Sequence, residues 1–425
     1  MKKIIKNGHV LDPASGKDGI FDVLIEDDKI IKVEKEITDK DCEIIDATGM
    51  IVMPGFVDLH VHFREPGYEY KETIYTGSRA AARGGVTSVF PMPNTKPVVD
   101  SVEMINRVND IAARDSVVNI YQVASVTMGQ LGDEPTDIAA LKENGVVAIS
   151  EDGKSVMNSN VYREAMKLAA ANDILVMAHC EDKNLVNGGA MNESARSREL
   201  GIRGITNAVE DIITARDILI AKETGARLHL CHCSTKDSVH MVAEAKKEGI
   251  KVSAEVCPHH FTLCDEDIVS DNADFKMNPP LRGREDVKAL IEGLRDGTME
   301  VISTDHAPHS AEEKQKSISE APFGITGIET SFCLSYTELV LKGVLTPMQL
   351  VEKMSYNPAR IAGIDRGTLL PGKTADIVIA NIDEEYIIDR NDFVSKGKNT
   401  PFDNKKVKGL IEYTFVAGKE VYRRR

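Results

Sequence analysis

The 425-residue chain contains no tryptophan, and aromatic residues make up only 5% of it. A surface that binds by stacking bases on aromatic rings is therefore not expected. Positive charge is not in excess either. There are 52 Lys and Arg against 67 Asp and Glu, a formal net charge of −15. A nucleic-acid binder needs a basic face to neutralise phosphates, so this balance argues against one. No apolar run approaches the ~20 residues that span a bilayer. The opening Met1-Lys2-Lys3-Ile4-Ile5-Lys6-Asn7 leads into no apolar stretch of the ~7–15 residues that a secretory signal carries. The seven cysteines, an odd number, run from Cys42 to Cys333 without a CxxC pair. Reduced thiols in a cytoplasmic protein are expected rather than a disulfide framework. What is present, 42% hydrophobic and 28% charged residues, is ordinary globular composition, long enough for one large domain and a small one.

Two patterns divide the chain. Residues 1–52 alternate apolar and polar, as in Phe21-Asp22-Val23-Leu24-Ile25-Glu26 and Lys29-Ile30-Ile31-Lys32-Val33, with Gly8, Pro13, Gly16 and Gly19 between them. These are short, half-exposed strands. The pattern returns at Ala375–Ala380 and Val407–Ile411, so one small β-sandwich domain built from 1–52 and 366–425 is expected. The middle, 53–365, has eight apolar runs: Phe56–His60, Ser88–Pro91, Asn119–Ala124, Val146–Ser150, Leu175–Ala178, Arg227–Cys231, Val252–Val256 and Val301–Thr304. Helical patterns such as Val161–Ala171, Ala208–Thr224 and Val239–Glu248 separate them. Near-continuous apolar strands alternating with helices fit an α/β (β/α)8 TIM-type barrel. A doubly wound open sheet is the alternative, but no GxGxxG follows an early strand. Residues 396–425 carry nine Lys/Arg and three Asp/Glu, a solvated face or a contact for an acidic partner.

The chemistry gathers at strand ends. His60 and His62 alternate at the end of the first run, so both imidazoles face one way and make half of a metal site. Asp152 follows the fourth run, His179 the fifth, His232 the sixth and Asp305 the eighth. Catalytic groups of such barrels lie on this C-terminal rim. Four imidazoles and two carboxylates suit two divalent ions, zinc by donor type. Strand alternation turns Cys231 and Cys233 away from His232, puts His229 in the barrel wall and turns Glu151 away from Asp152. His259-His260 are packing residues or supports for the ligands.

At these residues the sequence resembles the dihydroorotases, bacterial class I type, of the amidohydrolase superfamily. The resemblance rests on Pro54-Gly55-Phe56-Val57-Asp58-Leu59-His60-Val61-His62-Phe63-Arg64-Glu65-Pro66-Gly67 and Ser303-Thr304-Asp305-His306-Ala307-Pro308-His309. Pro91-Met92-Pro93-Asn94-Thr95, Ala178-His179-Cys180-Glu181 and Lys276-Met277-Asn278-Pro279-Pro280-Leu281-Arg282 also fit, so it covers nearly the whole chain. It implies reversible hydrolysis of dihydroorotate to N-carbamoyl-L-aspartate in pyrimidine biosynthesis. It implies two zinc ions, one on His60, His62 and Asp305, the other on His179 and His232. It implies substrate contacts from His62, Arg64, Asn94, Asn278, His309 and the backbone at Phe323-Gly324. Family habit implies a homodimer and a possible complex with aspartate transcarbamoylase. Many relatives bridge the metals with a carbamylated lysine. Here Asp152 is the expected bridge, as in the bacterial enzymes, and Lys154 is the rival.

Hydrolysis of a cyclic amide needs a better nucleophile than water and a more reactive carbonyl. Two metals ~3.5–4 Å apart lower the pKa of bound water from 15.7 towards ~7 and polarise the carbonyl. Asp305, at the metal, is expected to accept the proton and return it to the leaving ring nitrogen. Arg64 is the expected fork for the substrate carboxylate, which neutral hydantoin and dihydropyrimidine rings lack. The polar stretch Ser310–Gly324 follows the last ligand strand and is expected to close over the site or to be a disordered insert. Dihydropyrimidinase, hydantoinase and allantoinase chemistries are the alternatives, and a metal-free relative serving as a structural partner is another.

Overall fold

In the computed structural model, which describes residues 2–39 and 41–424, the eight apolar runs are eight parallel strands. They are Phe56–Val61, Val86–Pro91, Asn119–Ile120 continued by Ala124–Ser125, Ala148–Ser150, Leu175–Ala178, Arg227–Leu230, Val252–Val256 and Val301–Ile302. Registers such as Phe56↔Val86, Val176↔Leu228 and Val256↔Ile302 run parallel. The third strand is broken in the middle. Its first part pairs with the second strand and its last part with the fourth. The ring closes between the eighth and first strands. His62 N donates to His306 O at 2.8 Å, and Thr304 donates through N and Oγ1 to the Asp58 carboxylate at 3.1 and 2.6 Å. The strands are buried on both faces, which is why they read as continuous apolar runs. This is the (β/α)8 barrel expected from the sequence.

The helices packed outside the ring start at local signals. Thr73, Ser101, Asn158 and Thr235 each accept a first-turn N–H and so cap Ile74–Arg83, Val102–Asp115, Ser159–Ala171 and Lys236–Lys247. Ala208–Thr224 stops at Gly225, whose φ of 73° suits a residue without Cβ. The main apolar core lies between this helical shell and the strands, with Phe56 stacked on Phe332 at 5.1 Å.

The two ends of the chain share one eight-stranded sheet. Ile51–Pro54 is its junction, parallel to Lys2–Asp12 and antiparallel to Ile377–Ile387. Val23, Ile30 and Val33 from one side of that junction and Ile377, Ile379 and Phe415 from the other pack in one cluster. The sheet therefore folds over on itself as a small sandwich. Between Ile377–Ile387 and Lys406–Val416 the chain leaves the sheet. Phe393 and Phe402 of this excursion pack with Met277, Ile318 and Ile325 on the barrel. It thereby brings Asn399 to the catalytic rim. Within the basic end of the chain, Arg424 pairs with Glu384 and Glu412 and Lys405 with Glu338.

Candidate metal centre

Six side chains from five strand ends converge on the C-terminal rim, and all six are buried. His60 Nε2 lies 3.1 Å from Asp152 Oδ1 and 3.7 Å from Asp305 Oδ1. His62 Nε2 lies 3.2 Å from Asp305 Oδ1 and 3.5 Å from Asp152 Oδ2. His179 Nδ1 and His232 Nε2 are 2.9 Å apart, and each is within 3.8 Å of Asp152 Oδ1. Asp152 thus stands between two imidazole pairs. His232 and Asp305 reach this point with left-handed backbones, φ 35° and 47°, the kind of conformation that persists where surrounding contacts hold it.

The donor set fits cations. Neither ring nitrogen of His60 has a hydrogen-bond partner, and at Nε2 a carboxylate oxygen is only 3.1 Å away. That is the arrangement of ligands sharing a third atom rather than of a donor and its acceptor. Burial opposes charge on His60, yet the Asp152 carboxylate raises its proton affinity well above the imidazole range. Burial likewise opposes ionisation of Asp305, but the His62 contact and the neighbouring imidazoles hold its carboxyl well below the usual range. Carboxylates gathered among imidazoles are a donor set that a divalent ion answers.

Around this centre lie groups that orient it. His62 Nδ1 donates to Asn94 Oδ1 at 3.1 Å, which leaves Nε2 free to face the carboxylates, and Asn94 Nδ2 donates to Asp152 Oδ2 at 3.1 Å. Asn94 therefore holds two ligand candidates, a task beyond the substrate contact expected of it. Glu255, fully buried, places Oε1 3.2 Å from His60 Nδ1 and Oε2 3.1 Å from His229 Nε2. Sequence reading missed it, although a carboxylate inside the buried run Val252–Val256 needs a buried partner. His229 is indeed inside the barrel, as Glu255's partner. Cys231 departs from expectation. Its sulfur clusters with His60 and Glu255 within 4.8 Å. The alternation argument fails there because the strand ends at Leu230 and His232 takes a positive φ. Glu151 does turn away, accepting from Thr127 N at 3.0 Å. His259 and His260 are buried in the turn Pro258–Thr262, where His260 Nε2 donates to Pro279 O at 2.9 Å. Lys154 lies beyond Gly153 and donates to Gln130 O at 3.2 Å.

A cleft of about 160 Å³ opens on the centre, lined by His62, Arg64, Asn94, Asn278 and Phe323-Gly324 among others. Arg64 sits at its edge with φ 60°, its Nε donating to Pro308 O at 3.3 Å and its Nη2 3.4 Å from His309 Nε2. The acids beside it in sequence are engaged elsewhere: Glu65 accepts Ile74 N and Glu69 accepts Gly67 N. Among the described residues no ion pair occupies the Arg64 guanidinium. Asn278 donates to Glu181, which also stands 3.8 Å from His179 Nε2. His309 Nε2 donates to Phe323 O at 2.7 Å. Gly324 has a φ of 129°, and a Cβ there would lie 2.6 Å from Ala307 Cβ, so only glycine passes this wall. The stretch 310–324 is ordered. It starts with the capped turn Ala311–Lys314 and buries Ile318 and Ala321.

A family model described as "Dihydro-orotase-like" matches residues 49–238. The chain is 49% identical to the dihydroorotase of Pelotomaculum thermopropionicum over 99% of its own length and 98% of that protein. It is 46% identical to the dihydroorotase of Acetivibrio thermocellus, covering 99% of each chain. Among solved structures it superposes on the L-hydantoinase (dihydropyrimidinase) of Arthrobacter aurescens with a TM-score of 0.89 at 26% identity, covering 99% and 96% of the two chains. The dihydropyrimidinase of Brevibacillus agri NCHU1002 shares the fold, with a TM-score of 0.88 at 24% identity over 100% and 95%.

Proposed function

The chain belongs to the dihydroorotase family, and from that premise we propose that it is a dihydroorotase acting through the strand-end centre. The reaction is the reversible hydrolysis of dihydroorotate to N-carbamoyl-L-aspartate. The observation that carries the choice over a neutral-ring amidase is Arg64, a cation at the cleft edge that no ion pair engages among the described residues. A guanidinium forks onto a carboxylate with two parallel hydrogen bonds. Dihydroorotate brings such a carboxylate, and hydantoin does not.

In this reading His60, His62 and Asp305 would hold one zinc ion and His179 and His232 a second, with Asp152 as a further ligand between the two sets. Bound there, the pair supplies Lewis acidity that makes water acidic and a carbonyl electrophilic. The protein's own groups do the rest. Asp305 accepts the proton of the attacking water and returns it to the ring nitrogen as the C–N bond opens; in the synthetic direction it runs the same transfer backwards. Asn94 keeps His62 in the tautomer that presents Nε2 to the centre, and the Glu255 carboxylate lies against the opposite ring nitrogen of His60. Arg64, Asn278 and His309 fix the substrate at the rim, and the Phe323-Gly324 backbone forms the facing wall. A place in pyrimidine biosynthesis, in the cytoplasm, as a homodimer with aspartate transcarbamoylase as a candidate partner, rests on the family alone. No helix among the described residues is long and apolar enough to cross a membrane.

The deciding assay sets dihydroorotate, hydantoin and allantoin side by side, with metal quantified in the same sample. Turnover of dihydroorotate alone, with zinc near two per chain and loss of activity on chelation, is the expected result. Turnover of the neutral rings in its place defeats the reading, and protein without metal would favour a structural role. Arg64→Ala is expected to lose about 2–4 kcal/mol in kcat/KM for dihydroorotate, a charge-assisted pair at the substrate. Steady-state kinetics of that variant check it, and unchanged kcat/KM removes Arg64 from the site.

A further inference from the structure

The segment that walls the cleft is held by a lysine whose hydrogen bonds all go to main-chain carbonyls. Lys314, at the end of the turn Ala311–Lys314, donates from Nζ to three main-chain carbonyls: Gly324 O at 2.9 Å, Pro322 O at 3.2 Å and Lys276 O at 3.3 Å. Three ammonium donors meet three acceptors, so the head group is fully used. Among the described residues no ion pair engages it. Burial pushes the ammonium down to about 7, against the pull of Asp274. Such a group is retained where its hydrogen bonds are needed, since a surface lysine would have kept its charge in water at no cost.

The three carbonyls belong to two different walls of the cleft. Gly324 and Pro322 flank Phe323, whose O accepts from His309, and Gly324 N donates to Lys276 O at 3.0 Å. Lys276 precedes the stretch carrying Asn278. Lys314 itself follows His309 by one helical turn and more, in a segment that Lys71 anchors through Glu313 at 2.9 Å. One cation therefore ties together the segments bearing Asn278, His309 and Phe323-Gly324. Lys276 works on the same loop from the other side, but its Nζ reaches Ala321 O and Ser319 O, short of the cleft wall.

We propose that Lys314 is a positioning residue for the substrate: its three hydrogen bonds set the Phe323-Gly324 wall against the Asn278 segment. This deepens the dihydroorotase reading and rests on it. Lys314→Met fills the same volume without donors. It is expected to raise KM for dihydroorotate at least ~10-fold with kcat within ~3-fold, because the wall binds ground and transition states alike. Lys314→Gln, which keeps amide donors, should fall between. Lys276→Met serves as the comparison, with stability lowered and KM moved less than ~3-fold. A merely structural lysine would lower thermal stability in both methionine variants and leave KM alone; that result overturns the proposal. In the wild-type holoenzyme, hydrogen exchange at Phe323, Gly324 and Ile325 should slow when orotate binds. Unchanged exchange there also overturns it, whether or not the variants fold. Wild-type turnover, measured in parallel, separates the two levels. A wild type inactive on dihydroorotate refutes the reaction, whereas an active wild type with unshifted Lys314→Met refutes only the clamp.

Discussion

Asp305→Asn should lower kcat by about 10³–10⁴-fold in both directions, about 4–5 kcal/mol of barrier, in a protein that stays folded. The substitution is isosteric. It keeps an oxygen near His62 Nε2, now 3.2 Å from Asp305 Oδ1, and removes the base. As a carboxylate among imidazoles, Asp305 is ionised throughout the neutral range, because those neighbours outweigh its burial. It can therefore accept a proton whenever the reaction offers one. The competing account makes Asp305 a ligand and nothing more. On that account activity follows occupancy, and zinc added to saturation restores it. The assay is steady-state kinetics at rising zinc with metal content measured on each sample. A deficit that persists at full occupancy identifies proton transfer; recovery to near wild-type rate assigns Asp305 to ligation alone.

The barrel could be read from the chain because its strands are buried on both faces. Each run of Val, Ile, Leu and Ala stands out against amphipathic helices, and all eight fall where the runs lie. The strand-end position of His60, Asp152, His179, His232 and Asp305 was legible for the same reason, since a barrel gathers its strand ends on one rim. What escaped was whatever depends on backbone departing from strand geometry, or on segments distant in sequence. Alternation put Cys231 and His232 on opposite sides, but His232 turns back with φ 35° and both face inward. Asn399 lies 90 residues beyond His309, whose N donates to its Oδ1 at 3.1 Å. Only the excursion of residues 388–405 out of the terminal sheet brings them together. The resemblance implied a substrate contact for Asn94, but its hydrogen bonds to His62 and Asp152 could not be read from the sequence. The ties that hold Ser310–Gly324 run from Lys276 and Lys314 to main-chain carbonyls, and no side-chain pattern records a carbonyl.

Glu255 shows the same limit with a larger consequence. Unlike Asp152 and Asp305, it does not line the cleft. Burial opposes its charge, but His229 and His60 together hold its carboxyl well below the ordinary range. It also accepts the His232 N–H at 3.2 Å, so one side chain braces ligand candidates on two strands. Glu255→Gln is expected to weaken metal binding about 10–100-fold, the usual cost of losing a carboxylate behind a ligating imidazole. An amide offers one acceptor where the carboxylate offered two, so either His229 or His60 must move its proton. For His60 that means placing it on Nε2, the atom facing Asp152. The metal-free protein should also lose about 3–5 kcal/mol of stability, as when one partner of a buried charged pair is removed. Zinc competition against a chelator and urea unfolding of the metal-free form measure the two effects separately. Weakened binding with unchanged stability would mean that the carboxylate acts on the metal through His60 alone. Unchanged binding would mean that His60 keeps its tautomer without help, and the bracing role would pass to the Asn94 side of the centre.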